Sequence, residues 1–245
     1  MDKNPDPLQQ LQAASKIKHG DNFKREPIAE MQLDRDLELL RTWQSARLAE
    51  TYADLLADPR YHPACAFFLS DLYAARDFSQ RNYDVQRLHQ LLSPILPPRV
   101  VRVMENALRL THLTDQLDHR LVRELVDQLG VTDAIDGAIY AEGYRRCANY
   151  DDRVEQIDLL VTVVQEVGAL AHMPMVNLGL KLAEPFAQRL GWEEIYDFLR
   201  RGYAAFVHIR DIKFFAQAIG TREKQILRQI WDQQPDPFTT TSQQL

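Results

Sequence analysis

Glycine and cysteine are both scarce in this chain, which has 9 glycines and 2 cysteines among 245 residues. So little glycine disfavours glycine-rich phosphate loops, collagen-like sequence and all-β folds with many tight turns. Cys65 and Cys147 lie too far apart for metal-knuckle spacing, and two cysteines do not make a disulfide framework. This cysteine usage suits a reducing compartment, so we expect a cytoplasmic protein.

A basic surplus is also missing, since 29 lysines and arginines stand against 35 acidic residues, for a formal net charge of −6. Nucleic-acid binders normally carry a basic surplus or stripe, so we expect no nucleic-acid partner. The N-terminus has no apolar run of signal-peptide length. The most apolar stretch without acidic residues, Val167–Ala183, contains Pro174 and is shorter than the roughly 20 residues that span a membrane.

Apolar residues recur with helical spacing along most of the chain, and no convincing alternation of the strand type is present. The pattern predicts helices at 29–57, 62–75, 78–92, 98–129, 132–149, 152–173, 175–190, 192–219 and 221–232. The short connections favour antiparallel neighbours. We therefore predict an all-α fold, a single multi-helix bundle of about eight or nine helices.

The domain limits follow from where this periodicity begins and ends. Residues 1–27 and 233–245 are polar and lack helical spacing, so we predict disordered tails there and a helical bundle domain over 28–232. A subdomain boundary near 94–98 is the main alternative, because prolines cluster there.

Two helices carry specific expectations. Apolar residues cover more than half the circumference of the helix at 152–173, which places it in the middle of the bundle. Thr132, just after Gly130, is expected to cap the helix that follows it.

The predicted helix at 62–75 has large apolar side chains on opposite sides. Cys65, Phe68 and Leu69 share one face, whereas Phe67 lies roughly opposite with Asp71 one turn further along. A helix of this kind must be covered on both sides, so Asp71 is expected to be partly buried and to need a cationic partner. The candidate partners are Arg47, Arg76 and Arg81. A structural ion pair and a ligand-binding or catalytic carboxylate both remain open.

The run Phe67-Phe68-Leu69-Ser70-Asp71-Leu72-Tyr73 resembles the motif of the bacterial FFLEELY-motif proteins, with Ser70 and Asp71 in place of two glutamates. Similarity extends to Arg47-Leu48-Ala49, Pro59-Arg60-Tyr61, Asp77-Phe78, Asp197-Phe198-Leu199 and Gly202-Tyr203. The resemblance implies a helical domain from a bacterial source and implies no activity. Ser70 argues against any role that needs two adjacent acids.

The sequence offers one weak metal candidate, His112, Asp115 and His119, which share a helix face. A solvated helix face is the alternative, and no Glu-x-x-His pair of the carboxylate-metal bundles is present. Walker, dinucleotide and Gly-x-Ser-x-Gly motifs are also missing. We therefore expect no metal and no cofactor.

The segment around Pro174 combines flexible methionines with few charges. Met173, Met175 and Leu178 are candidates for a partner-binding surface, although core packing or an apolar ligand pocket would use the same residues.

We expect a non-catalytic protein that binds a protein partner or itself. One alternative is an enzyme or a binder of a small apolar ligand, with a pocket between helices around Asp71, Tyr73 and Arg81. The ligand- or structure-binding candidates are Phe67, Asp71, Tyr73, Asp77 and Arg81. A second alternative is a peripheral membrane protein that docks through 167–186.

Overall fold

The computed structural model describes residues 27–72, 96–190 and 192–240. Its α-helices are α1 (Pro27–Thr51), α2 (Ala53–Ala57), α3 (His62–Phe67), α4 (Pro98–Arg123), α5 (Gly137–Arg146), α6 (Tyr150–Ala171), α7 (Pro174–Leu190), α8 (Glu193–Phe206) and α9 (Ile212–Trp231). The helices α3 and α4 each continue into a π-helical turn, Phe68–Leu72 and Glu124–Gln128. No strand occurs in the described residues, and the all-α prediction is confirmed. The predicted helix at 78–92 lies outside them.

The predicted helix at 192–219 is in fact two helices. The helix α8 ends at Phe206, and α9 begins at Ile212, where the Asp211 carboxylate accepts a hydrogen bond of 2.9 Å from the Phe214 backbone N–H. The break predicted at Gly220 is wrong, because α9 runs through it. A Cβ at Gly220 would stand 2.7 Å from Val161, so this glycine lets α9 approach α6 closely instead of ending a helix.

The helix predicted from residue 132 starts at Gly137. Its cap is Asp136, whose carboxylate accepts 2.8 Å from the Ile139 N–H, and the expected Thr132 cap is therefore wrong. Thr132 donates instead to the neighbouring Asp133 carboxylate, at 3.2 Å. Gly130 has φ of +68°, a conformation that favours glycine and turns the chain out of α4 before the new helix can start.

The helix α6 occupies the middle of the bundle, as its apolar circumference predicts. It packs against α4, α7, α8 and α9. The described residues form two apolar clusters, and the first of them includes Val164 and Ala171 of α6. The first joins α2 and α3 to α8 and the start of α9, and the second joins the start of α1 and the end of α4 to α5 and the end of α9.

The chain after α9 folds back onto the bundle as far as it is described. Pro237 is buried, and the Phe238 ring lies edge-on to Trp43 and Tyr140, at centroid distances of 5.2 and 5.9 Å. Within the tail predicted from residue 233 onward, the described residues 233–240 are mostly exposed, but Pro237 and Phe238 contact the bundle. The two prolines stop the helix without preventing an apolar ring beyond them from docking.

No single helix among the described residues is long and apolar enough to cross a membrane. The pair α6 and α7 passes that test only when taken together, and it bends by 82° between the two helices.

Candidate ligand-binding cavity

Polar side chains occupy inward-facing positions on several helices of the bundle. Gln44 and Arg47 lie on α1, Asp118 on α4, Arg153 on α6 and Glu223 on α9. Gln44, Asp118, Arg153 and Glu223 each lie one turn from apolar core residues of their own helix, so helix packing carries these polar groups into the interior. These five residues line one cavity of about 100 Å³ between the helices.

The rest of the cavity wall is mainly apolar and aromatic. It includes Phe68, Leu69, Leu110, Leu160, Phe215 and Ile219, and Phe238 from the C-terminal segment adds to it. For comparison, a cavity of roughly 150 Å³ holds benzene, so this one has room for a somewhat smaller organic molecule or for a few waters.

Arg47 and Glu223 form an ion pair with each other at one side of the cavity. The guanidinium donates 2.7 Å to the Glu223 carboxylate, and the Tyr52 hydroxyl donates 2.8 Å to the same oxygen. Burial is the largest single effect and disfavours the charged guanidinium, but the charge and hydrogen bond of Glu223, together with smaller contributions from Tyr140 and Tyr52, outweigh it and raise the pKa of Arg47. The two charges therefore neutralise each other inside the protein.

Asp118 is more deeply buried, only 4% exposed, and its carboxylate is less closely hydrogen-bonded than that of Glu223. The Gln44 side-chain amide donates to its carboxylate at 3.3 Å and also lies 3.4 Å from the Tyr140 hydroxyl. Burial raises the pKa of Asp118, and the nearby charge of Arg153 offsets this only in part. The uncharged carboxylic acid is thus favoured relative to an exposed aspartate.

Arg153 is the most deeply buried charged residue around the cavity, at 2% exposed. Its guanidinium donates 3.1 Å to the Gln156 side-chain carbonyl and 3.2 Å to the Leu117 backbone carbonyl, and lies 4.4 Å from the centroid of the Tyr144 ring. Its Nε–H is buried and has no acceptor among the described residues. No described carboxylate forms an ion pair with it.

The Asp71 candidate takes part in a different arrangement. Asp71 is buried, as its position predicts, and accepts hydrogen bonds of 2.6 and 3.0 Å from Arg201 on α8 and of 2.8 Å from Ser70. None of the three candidate partners was Arg201, because sequence spacing cannot reveal a contact made across the bundle. Arg47, one of the three, pairs with Glu223 instead.

The motif face opposite the cavity packs against α8. The centroid of the Phe67 ring lies 5.4 Å from that of Phe198. The next residue, Phe68, has its ring centroid 6.0 Å from that of Phe206. The two segments that carry the family resemblance thus lie against each other. Neither Phe67 nor Asp71 lines the cavity, although Phe68 and Leu69 do. Tyr73, Asp77 and Arg81 lie outside the described residues.

The weak metal candidate is not assembled into a site. The His119 Nδ1 lies 2.7 Å from the backbone carbonyl of Asp115, and His112 contacts Gln116 at 2.9 Å. The Asp115 carboxylate is 3.7 Å from Arg41. Within the part of the chain that is described, no group of three or more His, Cys, Asp or Glu side chains is placed to hold a metal ion.

The candidate partner surface is largely exposed. Met175 is 71% and Leu178 59% exposed, and Leu182 extends the same outer stripe of α7 at 62%, whereas Met173 is half-buried. We call Met175, Leu178 and Leu182 the α7 stripe.

Both cysteines are free and poorly reactive by their surroundings. Burial raises the pKa of Cys65, which lines the cavity, to about 12 and that of Cys147 to about 11. At Cys147 the charges of Arg153 and Arg120 act in the opposite direction, but desolvation dominates.

Sequence reasoning missed the polar lining of the cavity. A signal was present, because Arg153, Asp118 and Glu223 each interrupt an apolar helix face. Single charged residues are usually solvated, however, and only the packing of α4, α6 and α9 shows that these three converge.

The fold and cavity together define an all-α bundle with a polar cavity near its middle. The chain belongs to the family defined by the domain of unknown function DUF8198, whose model matches residues 24–237. No curated protein and no solved structure matches the chain significantly.

Proposed function

We propose that this protein binds a small molecule in the cavity between α1, α4, α6 and α9. The observation that carries the proposal is the convergence of four charged side chains, Arg47, Asp118, Arg153 and Glu223, on one cavity with an otherwise mainly apolar and aromatic wall. Ligand sites typically combine an apolar lining with a few polar groups that fix orientation. Ionisable groups with shifted pKa values in such a place favour function over simple packing.

The position of this cavity differs from the pocket expected around Asp71. That carboxylate is already matched by Arg201, whereas the cavity keeps polar groups whose hydrogen-bonding capacity is only partly used. Buried polar groups without partners are costly, so their retention requires a reason beyond stability. A ligand that completes their hydrogen bonds provides that reason.

Ligand-observed NMR with a library of molecules no larger than benzene tests this proposal. We expect binders of the wild-type protein whose signals are lost in Leu110→Phe, since this substitution fills the cavity. The control is Leu113→Phe, which adds the same bulk at a half-buried position of α4 outside the cavity lining. Absence of any binder, or binders insensitive to Leu110→Phe, would contradict the proposal.

A second candidate function is binding of a protein partner, which the α7 stripe favours. Three large apolar side chains, each more than half exposed, follow one another along a single helix. Contiguous exposed apolar surface is characteristic of interaction sites.

Analytical ultracentrifugation of wild type and Leu178→Glu tests the simplest form of this candidate, self-association. We expect a concentration-dependent mass that the substitution abolishes, with Gln188→Glu on an exposed position of α7 as the charge-matched control. A monomer at every concentration removes self-association, and co-sedimentation with anionic liposomes would favour membrane docking through 167–186 instead.

We further propose that the chain is a relative of the bacterial FFLEELY-motif proteins and acts in the cytoplasm. The packing of Phe67 on Phe198 and the pair Asp71–Arg201 support the first point, because the two similar segments form one structural unit. The free cysteines support the second. Fractionation of the source cells, with recovery of the chain outside the cytosol, would contradict the assigned location.

A further inference from the structure

We propose that the molecule bound in the cavity is a small carboxylate and that Arg153 is its anchor. This inference rests on the proposed function, since it names the chemical class of the ligand for the same cavity. It is carried by the balance of hydrogen-bond donors and of charges around Arg153.

Arg153 has more hydrogen-bond donors than the described residues around it have acceptors for them. A guanidinium has five N–H donors, and within the described part of the chain only a side-chain amide oxygen and a backbone carbonyl accept from Arg153. The described residues offer no acceptor to its Nε–H, nor to the Nε–H of Arg47, which is also at the cavity. A carboxylate brings acceptors only, and its geometry matches the fork of a guanidinium.

The charges lead to the same class of ligand. The cavity is lined by two arginines and two acidic residues, but Arg47 and Glu223 already form an ion pair with each other. Asp118 forms no ion pair with Arg153 and takes its hydrogen bond from the neutral Gln44 amide. Burial also favours the uncharged form of Asp118. Among the described residues, Arg153 therefore has no carboxylate in ion-pair contact and interacts with the charge of Asp118 only at longer range, and an incoming anion would supply a direct partner.

The cavity size restricts the ligand further. A volume of about 100 Å³ accommodates a carboxylate on a short carbon chain and is too small to enclose a nucleotide or a long fatty acid. The Tyr144 ring beside the guanidinium and the apolar wall around Leu110 and Leu160 suit the chain of such a molecule.

The test compares propionate with propionamide, which has the same shape without the charge, and with propylamine, which has the opposite charge. Thermal unfolding of the full-length wild-type protein is followed with each compound at about 10 mM, against sodium chloride at equal ionic strength. We expect propionate alone to raise Tm, by about 3 °C or more, since a ligand that binds only the folded state stabilises it.

Variants identify the anchor. The propionate shift should be lost in Arg153→Lys, which keeps a positive charge but not the planar fork, and in Leu110→Phe, which fills the cavity. Leu113→Phe should keep the shift. The comparison of the three compounds uses wild type alone, so it stands even if Arg153→Lys fails to fold.

The outcomes separately test the chemical class of the ligand, the residue that anchors it and the cavity as its binding site. A shift with propionamide equal to that with propionate, or a shift with propylamine alone, overturns the carboxylate assignment while leaving a ligand-binding cavity. A propionate shift that survives Arg153→Lys and Leu110→Phe overturns both the anchor and the location. No shift with any compound, together with no binder by ligand-observed NMR, overturns this inference and the proposed function together.

Discussion

Two arginines of the described helices, Arg222 and Arg153, are almost completely buried, and their surroundings differ sharply. Arg222 on α9 meets the Asp54 carboxylate through two hydrogen bonds of 2.7 and 2.6 Å and donates a third, of 3.0 Å, to the Thr51 carbonyl. Arg153 on α6 donates to two carbonyl oxygens and to no carboxylate of the described residues. Arg222 forms a complete ion pair that connects α9 to the end of α1 and to α2. Arg153 is a charge beside a cavity, and no described carboxylate contacts it.

This difference shows how a structural charge can be told from a functional one. A buried charge whose partner belongs to the same chain contributes to stability only as long as both partners are present. A buried charge whose partner is missing cannot be explained by the stability of the ligand-free protein. Sequence alone does not separate the two cases, because each is an arginine on the apolar face of a helix.

The largest expected effect is on the complete ion pair. Arg222→Met should lower the free energy of unfolding by about 2 kcal/mol, because it leaves the Asp54 carboxylate half-buried without its cation. Urea denaturation measures the loss, and Arg228→Met, at an exposed position of the same helix, should change stability by less than about 0.5 kcal/mol.

The same pair has a defined pH dependence. Hydrogen bonds from Arg222 lower the pKa of Asp54, so the stabilisation is present above the unfolded pKa of about 3.9 and is lost as pH falls through the lower folded value. The stability difference between wild type and Arg222→Met should therefore narrow below about pH 4. A constant difference from pH 7 to pH 3 would contradict the role given to Asp54.

Asp71→Asn should have a smaller effect, a loss of about 1–2 kcal/mol, because the partner Arg201 is 45% exposed and water screens the pair. The matched control is Asp197→Asn on the surface of α8, whose pair with Arg200 is exposed on both sides. A loss of less than about 0.5 kcal/mol for Asp71→Asn would show that this pair does not hold α3 against α8.

Asp118→Asn should act in the opposite direction. Because burial raises the pKa of Asp118, its ionised form lowers stability as pH rises through the folded value, and this penalty is absent below the unfolded pKa. The substitution should raise stability by about 1 kcal/mol at pH 7 and have no such effect near pH 4. Denaturation at the two pH values decides this, and destabilisation at pH 7 would show that Asp118 is a true counter-ion of Arg153.

The smallest effect on stability is expected from Arg153→Met, at less than about 1 kcal/mol without ligand. Its lost hydrogen bonds are offset by removal of a buried, unpaired charge, and methionine fills part of the space. If Arg153→Met lowered the free energy of unfolding as much as Arg222→Met, Arg153 would be a structural residue like Arg222.

Local sequence patterns predicted much of the fold for clear physical reasons. The apolar circumference of α6 requires partners on several sides, and the proline pair at 97–98 suits the start of α4. Errors arose at Gly220 and Thr132, where a residue type that often marks a helix boundary serves another purpose. The burial of Asp71 followed from Phe67 and Phe68 on opposite sides of one helix, but its partner did not.

The sequence by itself therefore determined an all-α bundle, the central place of α6 and the need to bury Asp71, because each depends on periodicity within a single helix. Only the tertiary structure decided that Arg201 meets Asp71, that Phe238 docks on Trp43, and that Arg47, Asp118, Arg153 and Glu223 surround one cavity. These contacts join residues far apart in the chain. They depend on which helix faces pack together, which the pattern along one helix does not specify.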